Sequence, residues 1–282
     1  MKIWQKARKE YMAIANTENS KKPRARGPFP YLGGKTNLAD TIISCFPEHA
    51  TYIEPFAGGA QVLFHKPPSR SEIINDLDDE LTTFFRVVQN HQQELARYAS
   101  DWRCSRTWFD ILRETNPKSL TDIQRATRFL YLQKVAYGSK ILSQQFSCRP
   151  YGSPSFNPDT LPQIIASASN RLKHVQIECL PYERILKRFD KPSSLFYLDP
   201  PYLGKPFYHH NFKREDFETL RANLKSLRAK FLLSINDTGE IRDLFSDFYI
   251  RQVDVRYSIV VDEGSQGKEL LISNFPPKRA RN

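Results

Sequence analysis

The sequence contains no uncharged run near the ~18 residues that a membrane-crossing helix needs, which sets the membrane-spanning class aside. Its first residues, Met1-Lys2-Ile3-Trp4-Gln5-Lys6, lack the apolar stretch of a secretory signal, and none is expected. Cysteine is scarce and scattered. Cys45, Cys104, Cys148 and Cys179 form no C-x-x-C pair, which reads as reduced cytosolic thiols rather than a zinc site or a disulfide framework. The six histidines make no H-E-x-x-H, so no metal site is expected. No internal repeat is present, and no G-x-G-x-x-G dinucleotide fingerprint.

What remains is a globular, basic chain. Its 282 residues are 40% hydrophobic and 26% charged, enough apolar side chains for a sizeable core. The length suits one large α/β domain, or a core with a smaller insertion. Lys and Arg number 42 against 31 Asp and Glu, a net charge of +11. That surplus, with a pI near 9.4, points to a polyanionic partner but does not choose among DNA, RNA and an anionic membrane.

Four stretches differ in character. Residues 1–27 form a polar, basic lead ending in Ser20-Lys21-Lys22-Pro23-Arg24-Ala25-Arg26-Gly27, either a flexible arm on nucleic acid or a solvated tail. Residues 278–282 are a second basic tail with the same two readings. Between them, 28–90 and 165–277 carry α/β patterning. Thr36–Phe46 spaces Leu38, Ile42, Ile43 and Phe46 on one helical face. Strands are predicted at 51–54, 72–76, 174–179, 194–198 and 230–235, with helices at 80–89, 182–187 and 214–227. Two closing, antiparallel strands follow at 249–257 and 269–274. Residues 91–164 give one clear helix, Arg125–Lys134, and no parallel-strand signal, which reads as an insertion or second lobe.

The sharpest chemical signal is Asp199-Pro200-Pro201-Tyr202, directly after the apolar run Ser194–Leu198. A carboxylate at the C-terminal end of a central strand sits where α/β sheets place ligands. Two prolines stiffen the turn and remove two N–H donors, so the Pro200 carbonyl and the Asp199 carboxylate can act as paired acceptors beside the flat Tyr202 ring. That set suits a planar group bearing an NH₂. Accepting both amine hydrogens frees the nitrogen lone pair for attack on a methyl donor. An ordinary Asp-Pro-Pro turn is the alternative.

Two weaker signals accompany it. Glu54-Pro55-Phe56-Ala57-Gly58-Gly59-Ala60 follows the first strand, where glycines let backbone approach a ligand. Asp76 ends the next strand, where an acidic side chain can take ribose hydroxyls, or can start a helix. Gly34-Lys35-Thr36 has the tail of a P-loop, but Phe29 stands where that motif needs glycine. A lysine at a helix start is well placed to bind a carboxylate.

Taken in order, Tyr31…Gly33-Gly34-Lys35, Glu54-Pro55-Phe56-Ala57-Gly58-Gly59, Ile74-Asn75-Asp76 and Asp199-Pro200-Pro201-Tyr202 make the chain resemble the Dam-type (D12 class) DNA N6-adenine methyltransferases, especially phage and prophage versions. Leu233–Thr238 and Lys268–Asn274 are similar to that family's last strands. The resemblance implies a Rossmann-like class I methyltransferase sheet with an inserted, mainly helical DNA-recognition lobe. It also implies S-adenosylmethionine as donor, double-stranded DNA as partner, no metal, and the cytoplasm of a bacterial or phage-infected cell. By motif position it places Asp199, Pro200 and Tyr202 at the chemistry, and Tyr31, Lys35, Phe56, Gly58, Asp76, Tyr182 and Asp199 around the donor. His209, His210 and Asn211 fall on a loop that faces the target nucleotide, or is simply exposed. In the insertion, Lys140, Arg149 and Tyr151 are expected to touch DNA. Leu132-Gln133-Lys134 and Tyr137-Gly138-Ser139-Lys140 replace the Asn-Arg and Asn-Gly pairs of site-reading relatives, which implies looser specificity. N4-cytosine methylation uses the same amine chemistry and is the alternative reaction, with a P-loop NTPase behind it.

Overall fold

A computed structural model describes residues 27–139, 141–147, 156–202, 211–256 and 266–276. Seven strands form one sheet: β1 (Thr51–Glu54), β2 (Ser71–Asn75), β3 (Val175–Glu178), β4 (Ser194–Leu198), β5 (Lys230–Asn236), β6 (Tyr249–Arg256) and β7 (Gln266–Ser273). Their order is β3-β2-β1-β4-β5-β7-β6. β1 to β5 run parallel, while β7 pairs antiparallel with β5 and with β6. The expected Rossmann-like sheet with an antiparallel edge is therefore present. The strand order reverses between β1 and β4, which opens a crevice at their C-terminal ends.

β4 shows why the sheet is central. All five of its residues are buried, as a strand covered on both faces requires. Leu195 and Tyr197 face one core and Phe196 and Leu198 the other, the period of two that a strand imposes. On the second face lie α8 (Tyr182–Phe189), α9 (Arg214–Ser226) and α10 (Gly239–Leu244). The first face carries α1 (Ala39–Ser44), α2 (Gln61–His65), α3 (Asp79–Asn90), α4 (Gln92–Ser100), α5 (Arg106–Glu114), α6 (Asp122–Val135) and α7 (Leu161–Leu172).

The helices of the insertion share the core of the sheet's own layer. Leu95, Phe109, Phe129 and Leu130 are buried in the same cluster as Phe84, Phe85 and Ile74. Polar ties reinforce this. Arg125 of α6 bonds Asp79 at 2.8 Å and also Glu80, at the start of α3. Arg171 of α7 donates to Glu72 of β2 at 2.9 Å, and Lys66 pairs with that same buried carboxylate. The boundary expected between 164 and 165 falls inside α7. Pro162, which punctuates the sequence there, occupies the first turn, where a proline costs no helical hydrogen bond.

Element limits shift where local caps decide them. α1 starts at Ala39 rather than Thr36, because the chain first makes a tight turn in which Leu38 N–H donates to the Lys35 carbonyl at 3.0 Å. α6 begins three residues earlier than Arg125, at a capping box formed by Thr121 and Gln124. After α6 the chain folds back: Ala136 and Phe146 form an antiparallel bridge, and Tyr137 N–H donates to the Gln145 carbonyl at 2.7 Å.

Candidate active site

The C-terminal ends of β1, β2 and β4 deliver Glu54, Asp76 and Asp199 to one cavity of about 510 Å³. Asn75 ties the end of β2 to the segments that follow β1 and β3. Its buried amide donates to the carbonyls of Pro55 and Leu180, each at 2.9 Å, and accepts from Leu180 N–H at 2.8 Å. Asp76 then turns into the cavity, where its carboxylate accepts from Gly58 N–H at 2.9 Å and Asp78 N–H at 3.0 Å. Asp78, not Asp76, caps α3, accepting from Glu80 N–H at 2.9 Å. Asp76 thus keeps a place in the cavity wall. Burial raises its pKa to about 6, against the pull of those two backbone donors.

Gly58 has φ +47°, and a Cβ there would lie 2.8 Å from Cε1 of Tyr31. The glycine turn is therefore required by the ring of Tyr31 lying on it, as well as by its left-handed backbone. Tyr31 opens a second turn, in which Gly34 N–H donates to the Tyr31 carbonyl at 2.9 Å, and this turn directs Lys35 inward. Lys35 is buried. Its ammonium lies 2.8 Å from both Asp199 oxygens, donates to the Gly33 carbonyl at 3.1 Å and sits 4.9 Å from the centre of the Tyr202 ring. Burial works against the Lys35 charge, yet Asp199 and Glu269 hold its pKa above the ordinary value.

Two side chains hold Asp199 directly. Besides Lys35, Ser234 of β5 donates to Oδ1 at 3.1 Å, and the Ser234 hydroxyl is in turn 2.9 Å from that of Tyr197. Burial raises the Asp199 pKa to about 6, opposed by Lys35 and assisted by Glu269. Within the turn, Asp199 and Pro201 line the cavity, whereas Pro200 is buried and Tyr202 lies against Lys35. At the far end Phe56, Tyr182 and Phe212 form an aromatic cluster. The Phe56 ring is 5.1 Å from Tyr182 and 5.5 Å from Phe212. Burial raises the Tyr182 pKa to about 12.

The residues of this site match a family signature over residues 31–259, that of the D12 class N6 adenine-specific DNA methyltransferases. The chain belongs to this family. Type II methyltransferase M1.LlaDCHI of Lactococcus lactis subsp. cremoris is 26% identical, over 87% of this chain and 94% of its own length. Type II methyltransferase M.CviBI of Paramecium bursaria Chlorella virus NC1A is also 26% identical, over 87% and 98%. Type II methyltransferase M.MjaIII of Methanocaldococcus jannaschii is 27% identical, over 87% and 97%. The protein is an adenine-N6 DNA methyltransferase, and S-adenosylmethionine is its methyl donor.

The structure gathers Tyr31, Lys35, Phe56, Gly58, Asp76, Tyr182 and Asp199 around one cavity of this methyltransferase. The cavity has features that suit the donor. A carboxylate at the end of β2 can accept ribose hydroxyls, and an aromatic cluster lining the same cavity can pack against a flat ring. Lys140, Arg149, Tyr151 and His210 lie outside the described residues, as does His209. Sequence reasoning stopped at Asn211 and passed over Phe212, although an aromatic residue just before a predicted helix was available as a signal. Glu54 was visible within its motif, but nothing in its spacing revealed that it would be buried against Tyr52, whose hydroxyl donates to it at 2.8 Å. Burial raises the Glu54 pKa to about 8. Among the described residues no cluster of three or more His, Cys, Asp or Glu could hold a metal ion, and no helix is long and apolar enough to cross a membrane.

Proposed function

We propose that this methyltransferase acts on double-stranded DNA in the cytoplasm of a bacterial or phage-infected cell and modifies an adenine turned out of the helix. The target amine is inaccessible in a stacked duplex, and extrusion costs a few kcal/mol. S-adenosylmethionine, when bound, supplies an electrophilic methyl group. Asp199 accepts one hydrogen of the adenine amine and the Pro200 carbonyl accepts the other, which restores the nitrogen lone pair for attack. Lys35 and Ser234 hold the Asp199 carboxylate in one orientation for that task. The Tyr202 ring stacks on the target base. Asp76 receives the donor's ribose hydroxyls, the cluster of Phe56, Tyr182 and Phe212 packs against its adenine, and Tyr31, Lys35 and Gly58 border its methionine end.

The observation that carries this reading is the fixed position of Asp199 at the end of β4, held by Lys35 at 2.8 Å in the same cavity as Asp76. Residues 91–164 are the DNA-reading part, where Lys140, Arg149 and Tyr151 contact phosphates and bases, with His210 near the extruded nucleotide. The stretches Leu132-Gln133-Lys134 and Tyr137-Gly138-Ser139-Lys140 replace the Asn-Arg and Asn-Gly pairs of site-reading relatives, so recognition is looser. The test is Asp199→Ala, assayed with labelled methyl donor. Transfer is lost while S-adenosylhomocysteine still raises the melting temperature; substantial turnover would remove Asp199 from the chemistry.

A further inference from the structure

A hydroxyl inside a strand covered on both faces calls for an explanation, since phenylalanine would fill the same space without burying a polar group. Tyr197 is such a residue, next to last in β4 and 2% exposed. β4 and β5 pair with Leu198 against Leu233, so Ser234 comes level with Asp199. The Tyr197 side chain reaches across to it. The two hydroxyl oxygens are 2.9 Å apart, and that of Ser234 is 3.1 Å from Oδ1 of Asp199. Among the described residues the Tyr197 hydroxyl has no other hydrogen-bond partner.

These contacts decide where the protons go. Ser234 has one proton and three oxygens within reach: Tyr197 at 2.9 Å, Asp199 Oδ1 at 3.1 Å and the Leu198 carbonyl at 3.5 Å. If Ser234 donated to Tyr197, the buried phenol proton would lack an acceptor, and the Ser234 oxygen would face the carboxylate with no hydrogen between them. Both faults vanish when Tyr197 donates to Ser234 and Ser234 donates to Asp199. Each donation polarises the next, so the phenol strengthens the bond that Asp199 receives. Lys35 does not supply the same restraint. Its ammonium is equally distant from the two Asp199 oxygens, which fixes the end of the side chain but leaves the plane of the carboxylate free to tilt. A bond to one oxygen, from a hydroxyl whose own direction is fixed, removes that tilt.

We infer that Tyr197 is a positioning residue of the methyl-transfer site: its buried hydroxyl holds the Ser234 proton on Oδ1 of Asp199 and so sets the plane in which that carboxylate meets the target amine. The inference rests on the reading that Asp199 accepts the amine. Orientation counts because the amine hydrogen must lie along a carboxylate lone pair as the nitrogen turns tetrahedral. A misaligned acceptor loses its advantage in the transition state rather than in binding. Removing the Tyr197 hydroxyl should therefore slow the chemical step and leave the affinities for donor and DNA as they are.

The experiment is a double-mutant cycle of Tyr197→Phe and Ser234→Ala, read in single-turnover methyl transfer at saturating donor and DNA. Tyr197→Phe is expected to slow the step about fivefold and Ser234→Ala about thirtyfold, the losses of a neutral and of a charge-assisted hydrogen bond. The double variant should be no slower than Ser234→Ala, because the phenol acts through Ser234. The Kd for DNA and the thermal shift with S-adenosylhomocysteine should match wild type throughout. Losses that multiply in the double variant, or a Tyr197→Phe rate equal to wild type, overturn the inference. So does a reduced thermal shift with the rate intact, which would make Tyr197 a donor contact. An Asp199→Asn variant that still turns over overturns instead the reading beneath it. A second measurement, on the ligand-free protein, needs no activity. Tyr197→Phe should lower the melting temperature of wild type but raise that of Ser234→Ala, where the phenol is left buried without an acceptor. A fall or no change in the Ser234→Ala background overturns the inference.

Discussion

Lys35 and Asp199 are 164 residues apart in the chain, and the Lys35 ammonium lies 2.8 Å from both oxygens of the Asp199 carboxylate. The contact closes the sheet's crevice by joining the segment before the first helix to the end of the central strand. Lys35 is 5% exposed, so its charge is held by protein rather than water. Removing one member of a buried pair leaves the other uncompensated, at a cost of roughly 3–5 kcal/mol. Lys35→Met should therefore unfold in chemical denaturation with a stability loss of about that size. A variant as stable as wild type would show that the pair contributes nothing to the fold.

The same pair sets a pH dependence. Burial lifts the Asp199 pKa from 3.8 to about 6, and only the ionised carboxylate accepts an amine hydrogen. The methyl-transfer rate should fall on acidification with an apparent pKa near 6. Stability runs the other way. A carboxyl group whose folded pKa is raised favours the fold at low pH, and that contribution is lost as pH climbs from the unfolded value through the folded one. Ligand-free wild type should lose stability between pH 4 and 6, and Asp199→Asn should flatten that slope. A rate independent of pH between 5 and 8 would contradict this ionisation.

Glu54 extends the argument to higher pH. Its pKa is raised from 4.5 to about 8, chiefly by burial, so the side chain is neutral at pH 7 and accepts from the Tyr52 hydroxyl at 2.8 Å. Glutamine reproduces the neutral form. Glu54→Gln should retain methyl transfer at pH 7. Its melting temperature should change less between pH 5 and 8 than that of wild type, which must ionise a buried group over that interval. Parallel melting curves for the two proteins would place the Glu54 pKa back in the ordinary range.

Much of this arrangement was legible in the sequence because it follows local rules. The all-apolar Ser194–Leu198 reads as a strand covered on both faces, and the double proline after it marks where that strand must stop. Asp76 could be placed at a strand end because the apolar pair Ile73-Ile74 marks a short strand just before it. What could not be read depends on contacts between distant segments. Nothing in Lys268-Glu269-Leu270 shows that the antiparallel edge will bring Glu269 to Lys35. The insertion looked separable because residues 91–164 show one clear helix and no parallel-strand signal. Its burial against Phe84 and Phe85 becomes visible only once α3 and α6 are packed together.

The proposed DNA-reading role of residues 91–164 leads to a measurement that separates charge from sequence reading. Lys140 and Arg149 are flanked by Phe146 and Tyr151 in the sequence, a mix suited to phosphates and bases. If each base contacts one phosphate, Lys140→Ala and Arg149→Ala should weaken DNA binding on every sequence alike. Each should reduce the slope of log affinity against log salt by about one. Donor binding, read as the thermal shift with S-adenosylhomocysteine, should stay unchanged, since these residues are not assigned to the donor. Loose recognition makes a second demand. A base contact is worth about 1–3 kcal/mol of discrimination, so an enzyme without the Asn-Arg and Asn-Gly readers should methylate adenines in many contexts. Mapping methylated adenines across a genome that expresses the protein decides the matter. One strict motif of four or more bases would show that this region reads sequence through residues other than those replaced, while scattered methylation with an unaltered salt slope in both variants would move the phosphate contacts elsewhere.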